Sequence, residues 1–283
     1  MATWQNIGET SNKGYEIQLS TVNVKSRNFQ WSSSISYTHN DEKIVDLPDG
    51  DLIAKKLFEG HPIKTFYDFK YAGIWSTTEE EEAAKYGCQP GYVKIETVEQ
   101  FTTDENGNLV GDGGVHTYSN TRDLQILGSN VPDGILGVNN TFKYRDFDLS
   151  VFAIVRYGQM IDSKTIGWYS ANGNNQPRGT NYWTPENQSA YFPRPGIAST
   201  TGIGSLKYID GSYAKIKNIT LGYTFPKKLC KTLGLEQCRL YATAYNVFVL
   251  PFKSELKHTD PENNGSDTFP LYKTYLLGLN VSF

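Results

Sequence analysis

The sequence has no apolar run long enough to cross a membrane as a helix, and it has no surplus of basic charge. No stretch approaches the roughly 18 to 20 consecutive apolar residues of a transmembrane helix, and the mean hydropathy is -0.48. These properties exclude a helical membrane protein. The net charge of -3 gives no electrostatic footprint for nucleic acid, so we expect no nucleic-acid partner.

An export signal is missing from the start of the chain. Residues 1–6 contain neither a basic segment nor an apolar segment of the kind that directs secretion. The sequence therefore predicts either a cytosolic chain or a piece of a longer protein.

Catalytic patterns are missing as well. No Ser/His/Asp order stands out, and the four histidines are scattered singly without metal-ligand spacing. The glutamates at 79–82 suit the solvated first turns of a helix, because adjacent residues on a helix do not converge as a glycosidase carboxylate pair must. The sequence predicts no enzyme and no cofactor. The histidines are His39, His61, His116 and His258.

Aromatic residues and glycine are abundant instead, with 19 Tyr, 14 Phe, 5 Trp and 26 Gly. Rings in this number fit the aromatic girdles of an outer-membrane barrel, and they also fit a soluble carbohydrate-binding β-protein. A hydrophobic content of only 38% is compatible with a barrel, because only every second strand residue meets lipid.

The chain ends in a run with a period of two residues. One face is apolar and ends on an aromatic residue, which favours a strand that meets lipid, although an ordinary sandwich strand has the same pattern. The apolar face consists of Tyr275, Leu277, Leu279, Val281 and Phe283, and the other face of Leu276, Gly278, Asn280 and Ser282.

About seven strands of this kind are predicted, long enough for tilted membrane strands, which need roughly 9 to 11 residues. They cover 13–25, 27–40, 134–144, 147–158, 208–225, 239–250 and 272–283. The links after the second, fourth and sixth strands are long (41–133, 159–207 and 251–271) and the others are short. Long links therefore leave one end of the sheet only, as extracellular loops do in an antiparallel up-and-down transmembrane β-barrel, which places the C-terminus in the periplasm.

Seven is an odd number of strands and too few to close a barrel, and an open sheet edge in lipid is costly. We therefore expect the C-terminal part of a larger barrel. Several segments resemble the C-terminal half of SusC/RagA-type TonB-linked outer-membrane transporters of Bacteroidetes. They are 6–16, FYDFKYAGIW at 66–75, 125–128 with Pro132, DGSYAKIKNITLGY at 210–223, YNVF at 245–248, 260–262 and the terminal Phe283.

The resemblance implies an all-β barrel of about 22 strands, of which residues 1–283 supply about seven. In such proteins an N-terminal domain plugs the barrel and a SusD-like lipoprotein caps it. Oligosaccharides or peptides are imported with energy from TonB, and the outer-membrane insertion machinery reads the last strand. A signal peptide, a TonB box and a plug are absent here, so these partners are implied for a full-length parent. A soluble carbohydrate-binding β-sandwich and a passive porin or adhesin fragment are the alternatives.

Aromatic residues in the long links are the best candidates for contact with a substrate, because sugar rings stack on them. The alternative is that each ring fastens its own loop or meets the partner lipoprotein. The candidates are Trp75, Trp168, Tyr169, Tyr182, Trp183 and Tyr191.

Two further patterns leave alternatives open. Cys230 and Cys238 flank a predicted periplasmic turn, so they either form a disulfide or remain free thiols. Asp104, Asn106 and Asn108 offer oxygens at alternate positions, as a Ca²⁺ loop does. A plain Asn-Gly turn is favoured there, because Leu109 stands where an EF-hand requires glycine.

Overall fold

The computed structural model describes residues 8–168, 179–196 and 201–283. Within these ranges the chain is built from strands, with only short helices between them. The strands are β1 Glu9–Lys25, β2 Phe29–Asp46, β3 Thr65–Ile74, β4 Val93–Glu96, β5 Phe101–Thr103, β6 Leu109–Gly111, β7 Leu124–Ser129, β8 Gly134–Tyr144, β9 Phe147–Tyr157, β10 Met160–Asp162, β11 Tyr208–Asp210, β12 Tyr213–Thr224, β13 Gln237–Pro251 and β14 Thr274–Ser282.

The helices are few and short. None in the described ranges has the length and apolar character needed to cross a membrane. The α-helices are α1 Glu80–Lys85, α2 Lys164–Gly167 and α3 Lys227–Thr232, and the 3-10 helices are Ile53–Lys55, Thr77–Glu79, Ile203–Lys207, Ser254–Leu256 and Pro261–Asn263.

Seven strands form one antiparallel sheet, which we call the wall. Its order is β1-β2-β8-β9-β12-β13-β14, so each wall strand pairs with the wall strands that precede and follow it along the chain. This is the up-and-down meander that the sequence predicts. The links after β2, β9 and β13 are long and the others are short, which confirms that the long links leave one end of the sheet.

The boundaries of three predicted strands are wrong. β1 and β2 extend well beyond 13–25 and 27–40, and they pair from Glu9↔Asp46 to Lys25↔Gln30. The predicted strand 208–225 is two strands, since β11 pairs with β10 and β12 begins only at Tyr213. The chain turns between them because Asp210 Oδ1 accepts hydrogen bonds from the Ser212 backbone N–H at 2.9 Å and from its hydroxyl.

The long links fold together into a second part of the molecule, which we call the loop region. It contains the three-stranded sheet β4-β3-β7 and the pairs β5-β6 and β10-β11. Its main core combines side chains from all three long links, so these links form one packed unit. The buried members are Phe69, Val93, Ile95, Ile161, Ile166, Leu206, Ile209 and Leu256.

Candidate functional site

An apolar face runs along the wall, interrupted on β1, β2 and β8 by the polar residues Thr21, Ser33 and Asn140, and we call it the outer belt. Strand register fixes it: on β9 and β12, Leu149 lies opposite Leu221 and Phe147 opposite Tyr223. It continues to β14, where Leu277 lies opposite Ala242 of β13. Leu221 is 51% exposed and Leu277 is 75% exposed. Such a surface requires an apolar partner outside the chain.

The outer belt contradicts the soluble-sandwich alternative, which requires these apolar faces to be buried against a second sheet. No member of the diagnostic set is buried in the structure. That set is Phe147, Leu149, Val151, Leu221, Tyr223, Leu277 and Leu279.

Aromatic side chains mark both rims of the belt. At the short-turn end Phe147 packs against Tyr223 with ring centroids 4.7 Å apart. At the other end the hydroxyl oxygens of Tyr37 and Tyr157 lie 2.9 Å apart. Phe147 and Tyr157 are the two ends of β9, so at the usual rise and tilt the rims are about 26 Å apart. A bilayer-spanning apolar band flanked by aromatic girdles has this height.

The opposite face of the wall is polar. Asp148 of β9 accepts two hydrogen bonds from Arg239 of β13, at 3.0 and 2.6 Å. This pair crosses the intervening strand over Gly222, where an added Cβ would lie 2.3 Å from Arg239 Nη2. The Thr220 and Thr243 hydroxyls also meet at 2.9 Å. A wall that is apolar outside and hydrogen-bonded inside has the two faces of a barrel around a water-filled lumen.

A buried lysine fastens the loop region to the wall, and we call this group the Lys215 anchor. Lys215 Nζ on β12 contacts Asp260 Oδ2 at 2.5 Å and Glu262 Oε2 at 2.6 Å, and its side chain is 1% exposed. Lys217 pairs with Glu262 as well. Burial alone would raise the pKa of Glu262, but hydrogen bonds from the two lysines outweigh it and hold that pKa below its ordinary value.

The sequence predicts none of the contacts that form the Lys215 anchor. The resemblance includes 210–223 and 260–262 as separate segments, yet nothing in either segment indicates that the two meet. In the period-two pattern Lys215 shares a face with the apolar Ile219 and Leu221, and only the register shift between Ile216 and Asn218 places it on the polar face. No signal in the sequence alone therefore pointed to this contact.

Two of the aromatic residues predicted to contact substrate are buried, so that prediction is wrong for them. Trp75 and Trp183 are each 2% exposed. Trp75 donates its indole N–H to the Tyr118 hydroxyl at 3.0 Å, and Lys94 Nζ lies 4.2 Å from its ring centroid. Trp75 therefore fastens its own link, as the alternative interpretation holds.

The other four candidates differ among themselves. Tyr191 is partly buried and donates to the Leu206 carbonyl at 2.6 Å, so it too contributes to the loop region's packing. Trp168 is 53% exposed, with its indole N–H held by Asp267 Oδ2 at 3.0 Å. Tyr182 is exposed. Tyr169 lies outside the described residues. Trp168 and Tyr182 are therefore the described candidates with accessible rings.

The two cysteines are free thiols, so the disulfide does not form in the structure. Cys230 is buried at α3 and its Sγ lies 3.6 Å from the Phe225 carbonyl oxygen. Cys238 lies on β13 opposite Val281, on the same face as Leu240. The first thiol is directed at the turn backbone while the second belongs to the outer belt.

The proposed calcium ligands form the turn of a hairpin instead. Asp104 Oδ1 accepts backbone N–H groups from Asn106 at 2.9 Å and Asn108 at 2.8 Å, between β5 and β6. The hydrogen bonds from Asn108, followed by the one from Asn106, lower the pKa of Asp104. Among the described residues no group of three or more His, Cys, Asp or Glu could hold a metal ion. The favoured interpretation, an Asn-Gly turn, matches this geometry.

The terminal run lies on β14 at the edge of the wall. Its five apolar side chains are all exposed, and four of them continue the outer belt in register with β13. Their role as a membrane-insertion signal stays a prediction. The residues are Tyr275, Leu277, Leu279, Val281 and Phe283.

Comparison with known proteins gives a consistent set of relatives, although no protein-family model matches the chain. Two TonB-dependent receptors of Formosa agariphila are 28% identical over 308 residues and 30% identical over 311 residues. The alignments cover 99% of this chain and 29% and 30% of the receptors. The TonB-dependent receptor SusC of Bacteroides thetaiotaomicron is 26% identical over 299 residues, covering 99% of this chain and 27% of SusC.

Solved structures agree on the fold. The RagAB peptide transporter superposes with a TM-score of 0.73 at 20% identity, over 99% of this chain and 30% of that chain. The RagAB peptide importer in its open-open state superposes with a TM-score of 0.67 at 19% identity, over 99% and 29%. The wall is therefore part of a β-barrel.

The chain spans about 30% of the length of the relatives it matches. The expected resemblance to SusC/RagA-type TonB-linked receptors is confirmed over the whole chain. These relatives are receptors and transporters, and none of those named here is an enzyme.

Proposed function

We propose that residues 1–283 form part of the barrel wall and loop region of a TonB-dependent transporter that imports nutrients across the outer membrane. The observation that carries the proposal is the outer belt, a bilayer-high apolar surface between two aromatic rims on a wall whose other face is polar. Lipid covers the belt, and the polar face lines the route through the barrel.

The proposal extends to partners and orientation. The long links face the outside of the cell and the C-terminus lies in the periplasm, because outer-membrane barrels have their long loops outside. TonB and a SusD-like lipoprotein act through the whole protein, and the insertion machinery reads the strand that ends at Phe283. The transported nutrient is an oligosaccharide or a peptide, and the exposed rings of Trp168 and Tyr182 are the described aromatic groups available to it.

The test uses the whole protein that carries this sequence, expressed from its own gene. We expect the protein in the outer-membrane fraction, migrating faster on gels before heating than after, as folded barrels do. Cells that lack it should take up less of a labelled oligosaccharide or oligopeptide, and dissipating the proton-motive force should abolish the difference. A protein recovered in the soluble fraction would contradict the membrane assignment.

The same experiment separates the alternative of a passive porin or adhesin. A porin shares the outer belt but conducts without energy, so its uptake would survive loss of the proton-motive force. An adhesin would leave uptake unchanged when the protein is deleted.

A further inference from the structure

Strand β13 has an unpaired edge at the end of the wall from which the long links leave. β13 continues to Pro251, whereas β14 pairs with it only from Gln237↔Ser282 to Tyr245↔Thr274. Among the described residues, no strand pairs with the outer edge of 247–251. Five residues of edge, about 17 Å long, therefore present backbone groups that a further strand could use.

A β-bulge is the cause of this opening. Asn246 has a left-handed backbone with φ of 53°, and the register with β12 jumps there from Asn218↔Tyr245 to Ile216↔Phe248. A bulge bends its strand and ends regular pairing. The Asn246 side chain donates to the Tyr272 carbonyl oxygen at 3.0 Å, so the chain that enters β14 is tied to the bulge.

The open edge borders a cleft of about 520 Å³, a volume within the usual range of ligand sites. The cleft lies between β13 and the link that follows it, and Trp168 of α2's C-cap closes one side. Asp267 holds the Trp168 indole N–H at 3.0 Å, so the exposed ring has a fixed orientation before any ligand arrives.

The basic side chains that line the cleft lack ion-pair partners among the described residues. Lys257, His258 and Lys273 line it, are exposed, and make no ion pair with any described residue. Of the two carboxylates that line it, Asp260 is paired with Lys215, whereas Asp267 accepts only the neutral Trp168 indole N–H and keeps its charge. Two unpaired lysines against one unpaired carboxylate still give the cleft a net preference for negative charge.

We propose that this cleft binds an acidic peptide in an extended conformation. The peptide backbone adds a strand to the open edge at 247–251, its carboxylates meet Lys257 and Lys273, and one side chain packs on the Trp168 ring. The edge selects the ligand class, because an extended polypeptide matches the alternating donors and acceptors of a strand edge and a sugar chain does not. The inference rests on the proposed function and narrows its substrate to peptides.

The first experiment needs no mutation and measures binding to the purified whole protein in detergent. The parent probe is a fluorescein-labelled hexapeptide of alternating Glu and Val. Two N-methylated forms of it are methylated at alternate amides, so that each form loses the N–H donors of a different edge. One of the two forms lacks the donors that would pair with β13, and we expect it to bind at least tenfold more weakly than the parent peptide. Equal affinities for the parent peptide and both N-methylated forms would overturn strand addition.

Charge reversal tests the other half of the proposal. Lys257→Glu and Lys273→Glu should each weaken binding of the acidic hexapeptide about tenfold at low salt. Lys253→Glu makes the same charge change on an exposed lysine outside the cleft, so it should leave affinity within about twofold. A matched effect of all three variants would contradict a site in the cleft. Trp168→Ala should weaken binding, and Trp168→Phe should restore most of it.

Two outcomes separate this inference from the proposed function. If the whole protein imports an oligosaccharide with TonB energy and binds no acidic peptide, the inference fails and the proposed function stands. If an acidic oligosaccharide displaces the peptide probe and N-methylation has no effect, the cleft binds anions other than peptides, and the inference fails.

Discussion

The wall and the loop region use apolar side chains in opposite ways. In the wall they lie on the outside, and large residues such as Leu221 and Leu277 remain mostly exposed. In the loop region they point inward, and Trp75, Leu206 and Leu256 are almost completely buried. The same kinds of residue therefore meet lipid in one part and each other in the next. A substitution should have consequences set by the part in which it falls.

The largest expected effect is a cavity in the loop region. Leu256→Ala removes a side chain with no exposed surface from the main core, which typically costs about 2 to 5 kcal/mol. Leu277→Ala makes the same chemical change on the outer belt, where no cavity results. Limited proteolysis of the assembled whole protein should show faster cleavage of the long links in the first variant only. Equal protection in both variants would remove the distinction between the two parts.

The second-largest effect is expected for a charge that is placed in lipid. Val151→Arg places a guanidinium on the outer belt near the middle of β9, which costs about 2 to 4 kcal/mol near the bilayer midplane. Val110→Arg is the matched control, because Val110 on β6 is exposed in the loop region and such surface changes usually cost about 0.5 kcal/mol or less. The fraction of heat-modifiable protein should fall for the first variant alone. An equal loss for both would mean that the outer belt faces water.

The contact between the two parts should weaken in acid. The pKa of Glu262 lies below its ordinary value of 4.5 when folded, so its contribution is present above about pH 4.5 and is lost as pH falls through the folded pKa. Charged hydrogen bonds of this kind contribute about 1 to 2 kcal/mol when partly exposed. Cleavage within 252–273 should therefore rise between pH 5 and pH 3.

The Glu262→Gln variant provides the control for this pH effect. Because its side chain does not titrate, cleavage at neutral pH should already be elevated and should rise less on acidification. A variant as acid-sensitive as the parent would place the effect elsewhere.

The smallest effect is expected at the β5-β6 turn. Asp104→Ala removes two short backbone hydrogen bonds from an exposed hairpin, and we expect a loss of about 0.5 to 1 kcal/mol confined to that hairpin. Added Ca²⁺ should change the thermal unfolding of neither the parent nor the variant. A rise in the parent's melting temperature with Ca²⁺ that Asp104→Ala abolishes would restore the metal site.

The same contrast explains which features the sequence could predict. The wall is governed by a period-two pattern and short turns, so its strand order and the sorting of its links follow from local residues. The burial of Trp75 depends on Tyr118, which lies far along the same link. The ion pair of Lys215 depends on Glu262, which lies in the link after β13. Such contacts leave no periodic trace, which is why the sequence could not separate the loop aromatics that are buried from those that are exposed.

Each long link returns to the neighbouring wall strand, and this has a consequence for how such proteins evolve. β2 and β8 pair in continuous register from Phe29↔Tyr144 to Thr38↔Ile135, although the whole link 47–133 lies between them. Doubling the length of a link costs only about 0.6 kcal/mol in closure entropy. One link can therefore be exchanged for a longer or chemically different one while the frame beneath it keeps its pairing, so that new ligand preferences arise without a new barrel.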